Sequence, residues 1–161
     1  MLNTQFKHNE TDDCHGNTLT LHDCIAEKVT FCDGILRFYL PNGFWITPEH
    51  DENNLDKTVR TDAAVVDFLI SDSDEISVDM FKKSLFNKTM VKSWEINDLI
   101  DAINKGDFSL EFVYQYRANF EQLWQCVIHT KKELYYMECQ LHLPEAQATF
   151  RWNNLRPDQE W

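Results

Sequence analysis

The chain reads as mainly β, at the margin of α+β, with one short helix near residues 96–105. It predicts about eight or nine antiparallel strands, arranged as a sandwich, a half-barrel or a curved sheet. Three observations carry this. Apolar and polar residues alternate along most of the sequence with the period of two that a half-buried strand needs. Asp33-Gly34 stands between two such runs, where a two-residue hairpin turn belongs. One window, Ile96 to Ile103, instead carries apolar residues at the i, i+3, i+4, i+7 spacing of a helix face.

Residues 1–18 are polar and without periodicity, and are expected to form an irregular arm ahead of a single domain spanning 19–161. The first strand run sets Ile25, Val29 and Phe31 against Lys28 and Thr30. Beyond Asp33-Gly34, Leu36, Phe38 and Leu40 alternate with Arg37 and Tyr39. A two-residue turn pairs Phe31 with Leu36 and Val29 with Phe38, so the two apolar faces coincide. Pro41-Asn42-Gly43 makes a second turn into the short strand Phe44-Trp45-Ile46, and 48–60 is a charged loop. Ala64, Val66, Phe68 and Ile70 share the next face. Ser71 to Asp74 turns the chain, and Ile76, Val78 and Met80 resume an alternation that fades toward Val91. Gly106 sits where a left-handed residue closes a helix, and a helix of about ten residues needs docking against a sheet to persist. Phe108, Leu110, Phe112, Tyr114 and Tyr116 then line one face of a long strand. Trp124, Cys126 and Ile128 line a second, Tyr135, Met137, Cys139, Leu141 and Leu143 a third, and Ala148, Phe150 and Trp152 a last. A turn at Lys131-Lys132 predicts Cys126 opposite Met137. Strands with one wet face argue against a buried parallel sheet and the nucleotide sites that such sheets build.

The 161 residues suit one domain, and a 43% hydrophobic content is enough for a core. With 27 acidic against 15 basic residues the formal net charge is −12. That argues against a phosphate backbone or an anionic membrane surface as partner, and permits a basic protein, which opposite fields would steer inward. The first ten residues lack the apolar core of a signal peptide, and no apolar run approaches a membrane span. Five cysteines, an odd number, read as reduced thiols, so a cytoplasmic location is expected, with no cofactor. Asn87-Lys88-Thr89 matches a glycosylation sequon by chance in such a chain.

Several constellations invite a chemical reading. Cys126-x-x-His129 and Cys139-x-x-His142 offer four zinc ligands. On strands, however, residues three apart face opposite sides, so Cys126 and Cys139 are expected in the core, away from His129 and His142. His22-Asp23-Cys24 evokes an activated thiol. Neighbouring strand residues diverge, so the expected role is hydrogen bonding to backbone, and a Cys–His pair would need a distant ring such as His15 or His50. Asp72-Ser73-Asp74-Glu75 lacks the third ligand and the glycine of a calcium loop. No Gly-rich phosphate loop, Gly-x-Ser-x-Gly or His-Glu-x-x-His occurs. No catalytic residue is therefore assigned. Among the aromatics, Trp45 stands beside Phe44, at least one of the two rings being expected either exposed or under the 48–60 loop, and Trp161 is the tryptophan least suited to the core. Arg151-Trp152-Asn153-Asn154-Leu155-Arg156 predicts a turn at the two asparagines, with both arginines paired to local carboxylates. His22, Asp23, Trp45, Tyr114, Tyr116, Trp152, Asn153 and Arg156 are the candidate binding residues.

Leu21-His22-Asp23-Cys24, Asp33-Gly34 with Gly43-Phe44-Trp45, Glu138-Cys139-Gln140-Leu141 and Arg151 to Arg156 together resemble a group of small, uncharacterised, single-domain β-rich bacterial proteins. In size and layout these are similar to the immunity-type proteins that accompany bacterial toxins. The resemblance implies a non-enzymatic cytosolic protein and carries no site residue with it. The leading expectation is thus a non-catalytic interaction protein, with an immunity-type role as one form, that binds a basic protein partner. The alternatives are a small-molecule binder using Tyr114, Tyr116, Tyr136 and Trp124 on a concave sheet face, and an enzyme built on carboxylates or on the His22/Cys24 region. A pocket of roughly 300 Å³ or more with inward polar groups is the mark of the second.

Overall fold

The computed structural model describes residues 5–12, 18–83, 89–130 and 137–161. These residues form fifteen strands in three antiparallel sheets, none closed or strongly curled, and one short helix. The first sheet runs in the order β1 (His8–Asp12), β14 (Ala148–Trp152), β8 (Ala64–Leu69), β5 (Ile35–Leu40), β4 (Lys28–Cys32). The second runs β10 (Thr89–Trp94), β9 (Ser77–Lys83), β13 (Met137–Pro144), β12 (Glu121–Thr130), β11 (Phe108–Arg117), β3 (Cys24–Ala26). The third is small: β15 (Leu155–Glu160), β7 (Val59–Thr61), β6 (Trp45–Ile46), β2 (Leu19–Thr20). Strands outnumber the expected eight or nine because β1, β2, β7 and β15 show no clear alternation, and because the runs from Ile25 and from Ile76 each divide in two. The predicted turn at Lys131-Lys132, the rings of Tyr135 and Tyr136, His15, and Asn87-Lys88 of the sequon lie outside the described residues.

The β4–β5 hairpin has the predicted register, Phe31 opposite Leu36 and Val29 opposite Phe38. Asp33 and Gly34 both take positive φ, 53° and 73°, as a turn matched to strand twist requires. The helix α1 (Ile96–Asn104) buries Ile96, Leu99 and Ile103. Gly106 at φ 72° closes it, its N–H donating to the Ile103 carbonyl. Asn104 then does a second job. Its side-chain oxygen accepts the Val29 N–H at 3.0 Å, and its amide donates to the Val29 carbonyl at 2.7 Å. One amide side chain thereby occupies backbone groups on the outer edge of β4, which would otherwise offer itself to another strand.

The first two sheets meet through four rings. Phe38 packs edge-on against Phe68 and against Phe112, and Trp124 packs edge-on against Phe68 and Phe112, with centroids 5.1–6.2 Å apart. Phe38 and Phe68 come from the first sheet, Phe112 and Trp124 from the second. Each buried ring is worth about 1.5–3 kcal/mol, and edge-to-face pairs add about 0.5–1.5 kcal/mol.

Five sequence expectations need correction. The run Ile25–Phe31 is not one strand. It breaks at Glu27, sending β3 to the second sheet and β4 to the first, so Cys24 and Ala26 are buried while Ile25 is not. Part of the expected arm, His8–Asp12, is the edge strand β1. The β12–β13 register places Cys126 opposite Cys139, two residues beyond Met137; a slip of two keeps every side chain on its expected face. Phe44 and Trp45 are both buried, Trp45 under the Trp161 ring and the Arg60 guanidinium, so neither ring is exposed. Most consequential is β11. Its register shifts between Phe112 and Tyr114, leaving Val113 as a bulge. A shift of one residue exchanges the faces. Phe112 is fully buried, whereas Tyr114 and Tyr116 are 54% and 53% exposed, on the side away from the core.

Candidate functional site: a recess between the sheets and its aromatic rim

The bulge builds the site. Beyond Val113 the core-facing position of β11 passes to Gln115, which pairs across the ladder with Trp124. Gln115, Arg117, Trp124, Phe68, Phe150, Leu21 and His22, with neighbouring residues, enclose a recess of about 330 Å³ between the sheets. Its apolar wall is core aromatic. Its polar wall is a chain of amides: Arg117 donates to the Gln115 oxygen at 3.2 Å, Gln115 donates to Gln122 at 3.0 Å, and the Trp124 indole N–H donates to the same Gln122 oxygen at 3.1 Å. Gln122 is buried and donates onward to the Ala146 carbonyl at 3.2 Å, so it is fully engaged and holds Gln115 and Trp124 in place.

Rings continue from the recess onto the surface. Tyr116 lies 6.5 Å from Tyr114, Tyr114 lies 5.7 Å from His22, His22 lies 5.2 Å from Trp161, and Trp161 stacks on Trp45 at 5.8 Å. The Arg60 guanidinium covers Trp45 at 4.4 Å. Trp161 is 63% exposed. Tyr116, Tyr114, His22 and Trp161, exposed or half-exposed, and the buried Trp45 thus form one continuous series, of which His22 and Trp161 line the recess.

His22 is its hub. Its Nδ1 bonds the Val113 carbonyl, the carbonyl of the bulge, so the bulge also sets the orientation of the ring. Its Nε2 lies 3.6 Å from Asp23 Oδ2. Asp23 takes φ 55°, and this left-handed turn lets adjacent side chains meet that would diverge on a regular strand. Cys24 does not join them. Its thiol is buried, contacts the His22 carbonyl at 3.5 Å, and has its pKa pushed up to about 11 by burial, with Arg60 opposing. A thiol held protonated is a poor nucleophile.

Of the candidate residues, His22, Asp23, Trp45, Tyr114 and Tyr116 are brought together here, the tyrosines on the rim rather than in a concave interior. Trp152, Asn153 and Arg156 are not. Trp152 is buried, stacked on His8 at 4.9 Å. Asn153 and Asn154 lock two loops: the Asn153 N–H and the Asn154 amide donate to the Asp62 carboxylate at 3.1 and 2.8 Å, and neither asparagine adopts positive φ. Arg156 pairs with Asp158 at 3.6 Å, a local carboxylate as expected, whereas Arg151 pairs with the distant Asp67. Cys126 and Cys139 are buried side by side with thiol pKa values raised by burial, that of Cys139 to about 12. His129 instead meets Glu111 on the other face at 2.5 Å, and His142 lies 4.0 Å from Asp79. The described residues hold no group of three or more His, Cys, Asp or Glu side chains placed to share a metal ion. Sequence reasoning missed Gln115 and Arg60, because their roles follow from a bulge and from a cross-strand contact with Trp45. Among the described residues, no helix is long and apolar enough to cross a membrane.

No family model matches the chain, nor does any curated protein or solved structure.

Proposed function

We propose that this is a non-catalytic binding protein, its first two sheets forming the layers of a sandwich, that receives a positively charged segment of another protein on the aromatic rim. The observation that carries this is the continuous ring series Tyr116–Tyr114–His22–Trp161–Trp45 beside an open recess. Tyrosine and tryptophan are the side chains that most often anchor interfaces, and a recess next to them admits one partner side chain. Arg60 over Trp45 is an internal example of what the rim accepts, since ring faces attract guanidinium and ammonium groups. The net charge of −12 supports a basic partner by steering its approach. The edge of β11 adds a backbone component: β3 pairs with it over Leu110–Phe112, and the backbone of Tyr114 and Tyr116 lies beyond that pairing. The immunity-type role implied by the resemblance is one function of this kind.

The test is a titration of the whole chain with an extended peptide of alternating Arg and Leu, followed by tryptophan fluorescence. Saturable binding that weakens at least tenfold in the double variant Trp161→Ala, Tyr114→Ala supports the reading, tenfold being about 1.4 kcal/mol. Binding that is absent, or indifferent to the double variant, sinks it. A second reading, small-molecule binding inside the recess, draws on the polar wall of Gln115 and Arg117 and on the volume of about 330 Å³. It predicts fragment binding that survives the rim variant and is abolished by Val113→Trp.

A further inference from the structure

The outer face of the first sheet carries a second pocket, of about 750 Å³, which shares no lining residue with the recess. Register explains its floor. Lys28 pairs with Tyr39, Tyr39 with Val65, and Val65 with Arg151, so four strands contribute one row of side chains. Alternation turns this row away from Phe38, Val66 and Phe150, which face the core. In the next row Arg37 stands opposite Asp67. The buried Asp67 carboxylate accepts from Arg37 Nε and Nη2 at 2.6 and 2.7 Å, and also from Arg151 Nη1.

One carboxylate therefore serves two guanidinium groups. It orients both planar forks in advance and neutralises only one of them. Lys28 lies over the Tyr39 ring at 5.0 Å and adds another cation, while Glu27 lines the pocket as a carboxylate. Lys28, Arg37 and Arg151 outnumber Glu27 and Asp67 by one, on a chain that is strongly acidic elsewhere. Phe6, Tyr39, Leu40, Pro41 and Val65 supply apolar lining.

We propose that this pocket binds a small monocarboxylate with an apolar body. The carboxylate lies between Arg37, Arg151 and Lys28, and the hydrocarbon part lies against Phe6, Tyr39 and Pro41. The excess of a single positive charge matches a carboxylate better than a doubly charged phosphate, and the apolar lining gives no advantage to an inorganic anion. The site is independent of the rim and of the function proposed for it.

Benzoate is the probe, titrated into the isotope-labelled full chain and followed by amide chemical shifts. Saturable shifts at Lys28, Tyr39, Val65 and Arg151 are expected. Arg151→Gln is expected to weaken binding about tenfold or more, since it removes a charged donor. Because that variant also breaks the contact with Asp67, Lys28→Gln serves as the second arm. Lys28 is exposed and stands outside the Asp67 cluster, and its replacement is expected to weaken benzoate about threefold to fivefold. The proposal is overturned if no shift saturates, or if the shifts map to Phe68 and Trp124 in the recess. It is equally overturned if Lys28→Gln binds benzoate as the wild type does, or if inorganic phosphate binds as tightly as benzoate.

Discussion

Phe112 and Tyr114 are two residues apart on one strand, so an unbroken alternation would give them the same surroundings. The bulge at Val113 predicts otherwise, and a pair of alanine variants measures the difference. Phe112 is fully buried, with ring neighbours Phe38 at 5.1 Å and Trp124 at 5.2 Å. Truncating a buried Phe costs about 3–5 kcal/mol through lost transfer energy and the cavity left behind. The loss of two edge-to-face pairs, about 0.5–1.5 kcal/mol each, puts Phe112→Ala in the upper part of that range. Tyr114 is 54% exposed, with His22 and Tyr116 as its ring neighbours, so Tyr114→Ala is expected to cost less than about 1 kcal/mol. Urea unfolding followed by tryptophan fluorescence and by far-ultraviolet circular dichroism reads both, with an unchanged denaturant slope certifying that the midpoint shift is a stability change. Equal losses in the two variants would refute the register shift, and with it the construction of the recess and its rim.

Two further outcomes follow from backbone and burial. Gly43 adopts φ 70°, and a Cβ there would press into the backbone oxygens of Thr61 and Asp62. Gly43→Ala is expected to lose about 2 kcal/mol or more, combining left-handed strain with a contact against atoms that cannot step aside; a thermal midpoint within a degree of wild type would contradict this. Cys24, Cys126 and Cys139 have thiol pKa values raised by burial, to about 11 for Cys24 and about 12 for Cys139. Their stabilising contribution is complete below the unfolded thiol value and is lost as pH rises from there through the folded values, because only the unfolded chain can ionise them. Each thiol then costs about 1.4 kcal/mol per pH unit. Urea midpoints from pH 8 to 11 are expected to fall more steeply for the wild type than for Cys139→Ala, and parallel profiles would count against the burial of this thiol.

The hairpin, the helix and its closing glycine, and the burial of the Cys126 and Cys139 faces were legible because each rests on residues close in sequence. Asp33-Gly34 sets a register from two residues. The spacing of Ile96, Leu99 and Ile103 defines a face within three turns. Although the β12–β13 register differs by two residues from the expected one, the Cys126 and Cys139 faces were right, because an even slip preserves the pleat. The separation of β3 from β4 was not legible, since Ile25, Val29 and Phe31 share one parity in sequence while the two halves join different sheets. Nor was β15, whose polar composition hides a strand completed by pairing with β7.

What the sequence by itself determined is the kind of protein: antiparallel strands with one helix, acidic, and with Cys126 and Cys139 on the face opposite His129 and His142. These properties are set by local periodicity and by charge, which need no partner to be read. The tertiary structure alone decided where the proposed binding surface lies. A one-residue bulge at Val113 turned Tyr114 and Tyr116 outward and Gln115 inward. Long-range contacts then brought His22, Trp45 and Trp161 to the same rim, and set Arg37, Asp67 and Arg151 together on the opposite face of the first sheet. A bulge changes the parity of every residue after it, and a cross-sheet contact joins residues with no sequence relation, so neither leaves a periodic trace.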